Sequence, residues 1–201
     1  VPKWIQREFL AAYFGSELMR PLVDARDGKT FLQPTFSLNK VPGALASGHR
    51  FARDLGSLMA SFGPRVARIR ETRGWRRKDG TVTRKIRVAI SADPESLRRL
   101  YGRVGYRYCA ERERLARLAV AYLNLKQTTV ASRGSLKAQA LRLREEGRMN
   151  SEIVRALGPG AVRKHDIENW VAHPEQRVRV SELDFPTFRE ALLTCGSGGM
   201  T

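Results

Sequence analysis

The residues best suited to chemistry stand together near the start of the chain. Ala11, Ala12, Gly15 and Ser16 lead up to Glu17. Ala11 with Gly15, and Ala12 with Ser16, share a helical face because residues four apart are neighbours there. Side chains this small allow a second helix to approach almost to backbone contact. Glu17 follows that contact surface at the end of the same helix, so two such helices crossing would bring two carboxylates together. A close carboxylate pair is costly unless a divalent metal neutralises it, and Mg²⁺ or another divalent cation takes such oxygens together with water and phosphate oxygens. Glu17 is the expected metal ligand.

A second constellation is basic. Arg68, Arg70 and Thr72 alternate with Ala67 and Ile69, and Thr83, Lys85 and Arg87 alternate with Ile86, Val88 and Ile90. Between these arms lies the run Arg76-Arg77-Lys78-Asp79-Gly80, whose Asp-Gly pair suits a tight turn. Upstream, Gln33, Thr35, Ser37 and Asn39 alternate with Leu32, Phe36 and Leu38. Arg and Lys pair with guanine edges or phosphates, and Gln or Asn with adenine. One side of such a sheet has the side chains for nucleic acid.

The elements that position these groups follow from periodicity. Helical spacing covers 5–20, 47–61, 94–102 and 109–125, and period-two patterns give strands over 30–39, 65–73 and 81–91. After Lys126 the chain turns polar, and short helices are expected at 136–147, 151–157, 162–171 and 185–193. Two domains are expected, 1–126 and 127–201. The middle helices resemble a helix-turn-helix, with Arg163, Lys164 and His165 opening its recognition helix. That module binds DNA or serves as helical packing.

Composition agrees with a polyanionic partner. The 201 residues carry 37 Lys and Arg against 20 Asp and Glu, a net charge of +17, and phosphate neutralisation releases condensed counterions. No run of eighteen apolar residues is present to span a bilayer, and no secretory signal leads the chain. The expected location is intracellular, cytoplasmic or nucleoid-associated. Cys109 and Cys195 lack the companions of a zinc site or disulfide framework. His49, His165 and His173 have no partner pattern. The opening at Val1 without methionine suggests a processed or excised segment.

The run from Arg7 to Glu17 resembles the LAGLIDADG motif of homing endonucleases, with Leu10-Ala11 at its opening and Glu17 on its final acid. Gly15 stands where the motif has its first acid, and Leu18 where it closes with Gly. Pro2-Lys3-Trp4-Ile5 looks like the lead-in of intein-associated members, and Val104 to Arg112 is similar to the segment near the end of the family repeat. The resemblance covers about residues 1–125. It implies an α+β fold with a curved antiparallel sheet laid over double-stranded DNA, to which the spacing after Lys126 adds the small helical module. It further implies metal-dependent hydrolysis of both strands, with Glu17 as the catalytic acid and Lys85 or Arg112 stabilising developing charge. One repeat supplies one carboxylate, so a second repeat is expected through homodimerisation or from a missing first half. The terminal His-Asn pair needed for self-splicing is absent. Two rival readings share the scaffold, a non-catalytic helix-turn-helix DNA-binding regulator and an RNA-splicing cofactor.

Overall fold

The computed structural model describes residues 1–158, 160–178 and 185–196. In chain order these form α1 (Lys3–Glu17), β1 (Thr35–Lys40), α2 (Leu45–Ala60), β2 (Val66–Arg76), β3 (Val82–Ile90), α3 (Pro94–Arg99), α4 (Ala110–Glu145), α5 (Asn150–Leu157), α6 (Lys164–Ala172) and α7 (Phe188–Gly196). The fold class is α+β. The three strands make one antiparallel sheet in the order β1-β3-β2.

The chain divides into two compact units, 1–123 together with 186–201, and 124–185. The first holds the sheet. Phe36, Ile86, Val88 and Ile90 are buried on one sheet face because alternate residues of a strand point the same way. Against that face lie Phe14 of α1, whose ring is 6.2 Å from Phe36, and the buried Ala52, Leu55 and Met59 of α2. Leu97, Leu100, Tyr101 and Val104, from α3 and the π-helical turn Leu100–Val104, complete the core with Leu115, Ala119 and Tyr122 of α4.

The last helix contradicts the expected 127–201 domain. Phe188 of α7 sits 5.0 Å from Phe31 and 5.3 Å from Tyr122, and these aromatic contacts place it in the first unit. The remainder of the predicted tail, 197–201, lies outside the described residues. The second unit has its own core of Ala140, Ile153, Val162, Ile167 and Trp170.

Three other expectations are corrected. The helix read as 109–125 continues to Glu145, through the segment read as a polar turn. There the hydroxyls of Thr128 and Thr129 donate to the carbonyls of Asn124 and Leu125 one turn back, so polar side chains satisfy themselves on the helix. The first strand begins at Thr35 rather than at residue 30, because Phe31 is drawn into a separate bridge with Val23. Helix α1 ends at Glu17 rather than at residue 20. Leu18 turns extended and is buried, and the Met19 N–H donates to Thr35 O at 3.0 Å.

Candidate nucleic-acid interface

Strand register turns the sequence alternation into a grid. Thr35 pairs with Ala89 and Ala89 with Arg68; Ser37 pairs with Arg87 and Arg87 with Arg70; Asn39 pairs with Lys85 and Lys85 with Thr72. Directly paired residues share a face, so these nine positions cover the side opposite the core. Arg68, Arg70, Lys85 and Arg87 supply its charge, and no Asp or Glu occupies it. Three strands at about 4.8 Å spacing make it about 10 Å across, which matches a major groove about 12 Å wide.

Part of this face sinks into a concavity of about 360 Å³, bordered by Gln33, Thr35, Arg68, Arg70, Thr72 and Arg87. Ala89 is buried at this place, and Met19 and Leu32 join the lining. The alternation of β3 puts Ala89 on the side of Lys85 and Arg87, whereas Met19 and Leu32 lie outside the strands and reach this place only through the fold. Leu32 was expected on the core face with Phe36 and Leu38, but it precedes the strand and is exposed. Arg87 is oriented by a 3.3 Å hydrogen bond from Nη2 to Thr35 Oγ1.

Two irregularities in β2 shape the edge. Register shifts between Val66 and Arg68, so Ala67 is the extra residue of a bulge and is exposed. A second shift lies between Arg73 and Arg76. There Thr83, expected outward beside Lys85, is buried, and its Oγ1 both accepts from the Trp75 N–H and donates to the Trp75 carbonyl. A Cβ on Gly74 would fall 2.3 Å from that oxygen. The bulge therefore needs glycine at 74 and a hydroxyl at 83.

Beyond it, Arg76, Arg77 and Lys78 form the exposed tip, with Gly80 at φ +83° closing the turn. Arg77 lies 3.8 Å from Asp79, and Arg76 Nε donates to Gly80 O. Trp75 is exposed at the base of the tip. On the core side of the sheet, His49 Nε2 lies 3.1 Å from Glu71 Oε2. His49 and then Arg84 hold the Glu71 carboxyl below the usual carboxylate range.

The small-residue surface of α1 is used within the chain. The Arg107 N–H donates to Ala11 O at 2.8 Å, and a Cβ on Gly15 would fall 1.9 Å from the Arg107 carbonyl oxygen. Ala11 and Gly15 thus admit the backbone of residue 107, where a second helix was expected. Arg112 is likewise committed. Its Nη1 donates to the carbonyls of Ser16 at 3.1 Å and Leu18 at 2.7 Å, and more loosely to Phe14 at 3.4 Å, meeting the unpaired carbonyls at the end of α1.

Glu17 is exposed, and no hydrogen bond or ion pair engages its carboxylate among the described residues. Its charge, after burial, helps push the Tyr13 hydroxyl up to about 12. Among the described residues no group of three or more His, Cys, Asp or Glu is gathered to hold a metal ion. Glu17 alone does not fit the metal centre read from the sequence, which required a close carboxylate pair.

In the second unit, Arg163, Lys164 and His165 are exposed at the start of α6. Asp166 Oδ2 accepts from the Arg163 N–H at 2.9 Å and pairs with Arg133 at 3.0 Å, while the Arg133 guanidinium lies over Trp170. Lys164 lies 3.8 Å from Glu168 on the same helix. No helix among the described residues is long and apolar enough to cross a membrane.

No family model and no solved structure matches the chain. It is similar to the DNA-directed RNA polymerase subunit Rpo1N of Methanocaldococcus jannaschii, with 34% identity over 138 residues, which is 69% of this chain and 10% of that relative. This finding overturns the expected homing endonuclease, with its hydrolase and nuclease labels, because the similarity points to transcription. The catalytic parts given to Glu17, Lys85 and Arg112 fall with that reaction, and the expected homodimer gains no support. The chain spans about a tenth of the length of the curated relative it matches.

Proposed function

We propose that the chain is a non-catalytic double-stranded DNA-binding module, part of or working with a larger polypeptide of the transcription apparatus. The observation that carries this reading is the grid on the open sheet face, where four cations stand among Thr35, Ser37, Asn39 and Thr72 without an acid between them. Cations neutralise phosphates and fix register on the duplex, while Asn39 and Gln33 have the donor and acceptor pairs that read adenine. The basic tip at Arg76, Arg77 and Lys78 extends the same charge along the DNA. The similarity to an RNA polymerase subunit supports the transcription setting.

The scaffold belongs, in this proposal, to the LAGLIDADG type. Support comes from the order α1-β1-α2-β2-β3 followed by helices and from the motif-like run ending at Glu17. Arg163 and Lys164 serve as an auxiliary contact through α6. The test is fluorescence anisotropy with a labelled duplex, comparing the unmodified chain with Arg68→Ala/Arg70→Ala/Arg87→Ala. Weaker, less salt-sensitive binding by the triple variant is expected. Equal binding by both proteins would remove the sheet face from the interface.

A further inference from the structure

A second concavity in the first unit, about 310 Å³ in volume, is lined by four arginines, Arg7, Arg103, Arg107 and Arg117, with one acid, Glu113. Glu8 holds two of them, lying 2.7 Å from Arg7 and 3.0 Å from Arg107, and Glu113 lies 3.7 Å from Arg107. Arg103 and Arg117 are exposed, and their guanidinium groups make no hydrogen bond or ion pair among the described residues. After Glu8 and Glu113 are set against Arg7 and Arg107, two guanidiniums remain unneutralised at one small concavity. Their mutual repulsion falls when an anion of matching charge sits between them.

The backbone along this concavity is unusual. Leu100–Val104 is a π-helical turn, closed by the Gly105 N–H donating to Leu100 O at 2.8 Å. Such one-residue expansions recur at functional sites. Gly105 leaves the turn at φ +76°, which favours glycine. Tyr101 and Tyr106, both buried, line the concavity. The Tyr101 hydroxyl is buried without a hydrogen-bond partner, although buried polar groups are nearly always paired.

We propose that this concavity binds a terminal phosphate, with Arg103 and Arg117 as its fork-shaped donors. Guanidinium matches phosphate oxygens in bidentate fashion, and a phosphate monoester carries close to two negative charges at neutral pH, equal to the two unpaired cations. The volume is at the lower end of small-ligand pockets. It admits a nucleotide or a phosphorylated nucleic-acid end but excludes the body of a duplex. The site is separate from the sheet face and does not depend on the DNA-binding reading.

The test titrates the full chain by calorimetry with inorganic phosphate and with adenosine monophosphate. A competition arm adds duplexes ending in 5′-phosphate or 5′-hydroxyl. Binding of both small probes is expected, weakened at least about tenfold by Arg103→Ala/Arg117→Ala. Arg103→Lys/Arg117→Lys should lose less, because charge remains while the fork is lost. Thermal melting should stay unchanged in both variants, since both arginines are exposed. Arg68→Ala/Arg70→Ala/Arg87→Ala should bind the small probes normally, which separates this site from the sheet. Displacement of adenosine monophosphate by the 5′-phosphate duplex alone supports the site and identifies a nucleic-acid end as its ligand; displacement by neither duplex supports it with a free nucleotide as ligand. Displacement by both duplexes equally, undiminished probe binding in the double alanine variant, or no binding of either probe would overturn the proposal.

Discussion

Removing Arg68, Arg70 and Arg87 together should change how DNA binding responds to salt more distinctively than it changes affinity at any one salt concentration. Each phosphate neutralised on B-form DNA contributes about 0.9 to the slope of log K against log salt. Arg68, Arg70 and Arg87 stand on one face without a neighbouring acid on the grid. If each neutralises one phosphate, their loss makes the slope less negative by about 2.7. Between 50 and 200 mM salt, a fourfold rise, the unmodified chain should then lose about 40-fold more affinity than the variant. Anisotropy titrations at five salt concentrations give both slopes, and circular dichroism checks that the variant is folded. Equal slopes for the two proteins, with the variant folded, would mean that these arginines do not neutralise DNA phosphates, even if the unmodified chain binds DNA tightly.

Other perturbations test the fold that holds the face. Gly15→Ala would place a methyl 1.9 Å from the Arg107 carbonyl, and a loss of about 2–4 kcal/mol is expected in urea unfolding; an unchanged midpoint would contradict the close approach. Arg112→Met should cost about 1–3 kcal/mol by freeing the α1 carbonyls, read by the same melts. Asp93 caps α3 through Ser96 N. Burial raises its pKa, but hydrogen bonds from Ser91, Ser96 and Arg65 outweigh this and bring it down to about 2. A depressed carboxyl stabilises the fold above its unfolded pKa, and that contribution is lost as pH falls from about 4 through about 2. Asp93→Asn should therefore flatten part of the stability decline over that window, and an unaltered acid limb would count against the capping role. Trp170→Ala should cost the second unit about 3–5 kcal/mol, seen as lost hydrogen-exchange protection in α5 and α6 while the sheet stays protected.

The sheet was legible because its signals are local. Alternation at Lys85, Ile86, Arg87 and Val88 gives two faces whatever lies elsewhere, and Asp79-Gly80 marks the turn. Register then places Ser37, Arg87 and Arg70 in one row. The bulges were not legible: Ala67 and Thr83 keep the alternating pattern in sequence, and only the pairing reveals the extra residues. The long helix is not legible because Gln127, Thr128 and Thr129 have turn-like composition, and the bonds of the two threonine hydroxyls back to the preceding turn exist only once the helix forms.

The small residues of α1 show a different limit. Ala11 and Gly15 declare that a backbone comes close, but not whose. The neighbour is Arg107 of the same chain, 92 residues beyond Gly15. Arg112 was singled out for the chemistry of its charge, while its place beside the α1 terminus makes that charge a cap. The concavity at Arg103 and Arg117 left no sequence signal at all, since its members are far apart and the π-turn has no spacing of its own.

Backbone amide NMR of the chain during titration with a duplex locates DNA on or off the open sheet face residue by residue. The largest shift changes are expected at Thr35, Ser37, Thr72, Lys85 and Arg87, with further changes at the Arg76–Lys78 tip. Changes confined to α5 and α6, or absent from all three strands at saturating duplex, would contradict binding on that face.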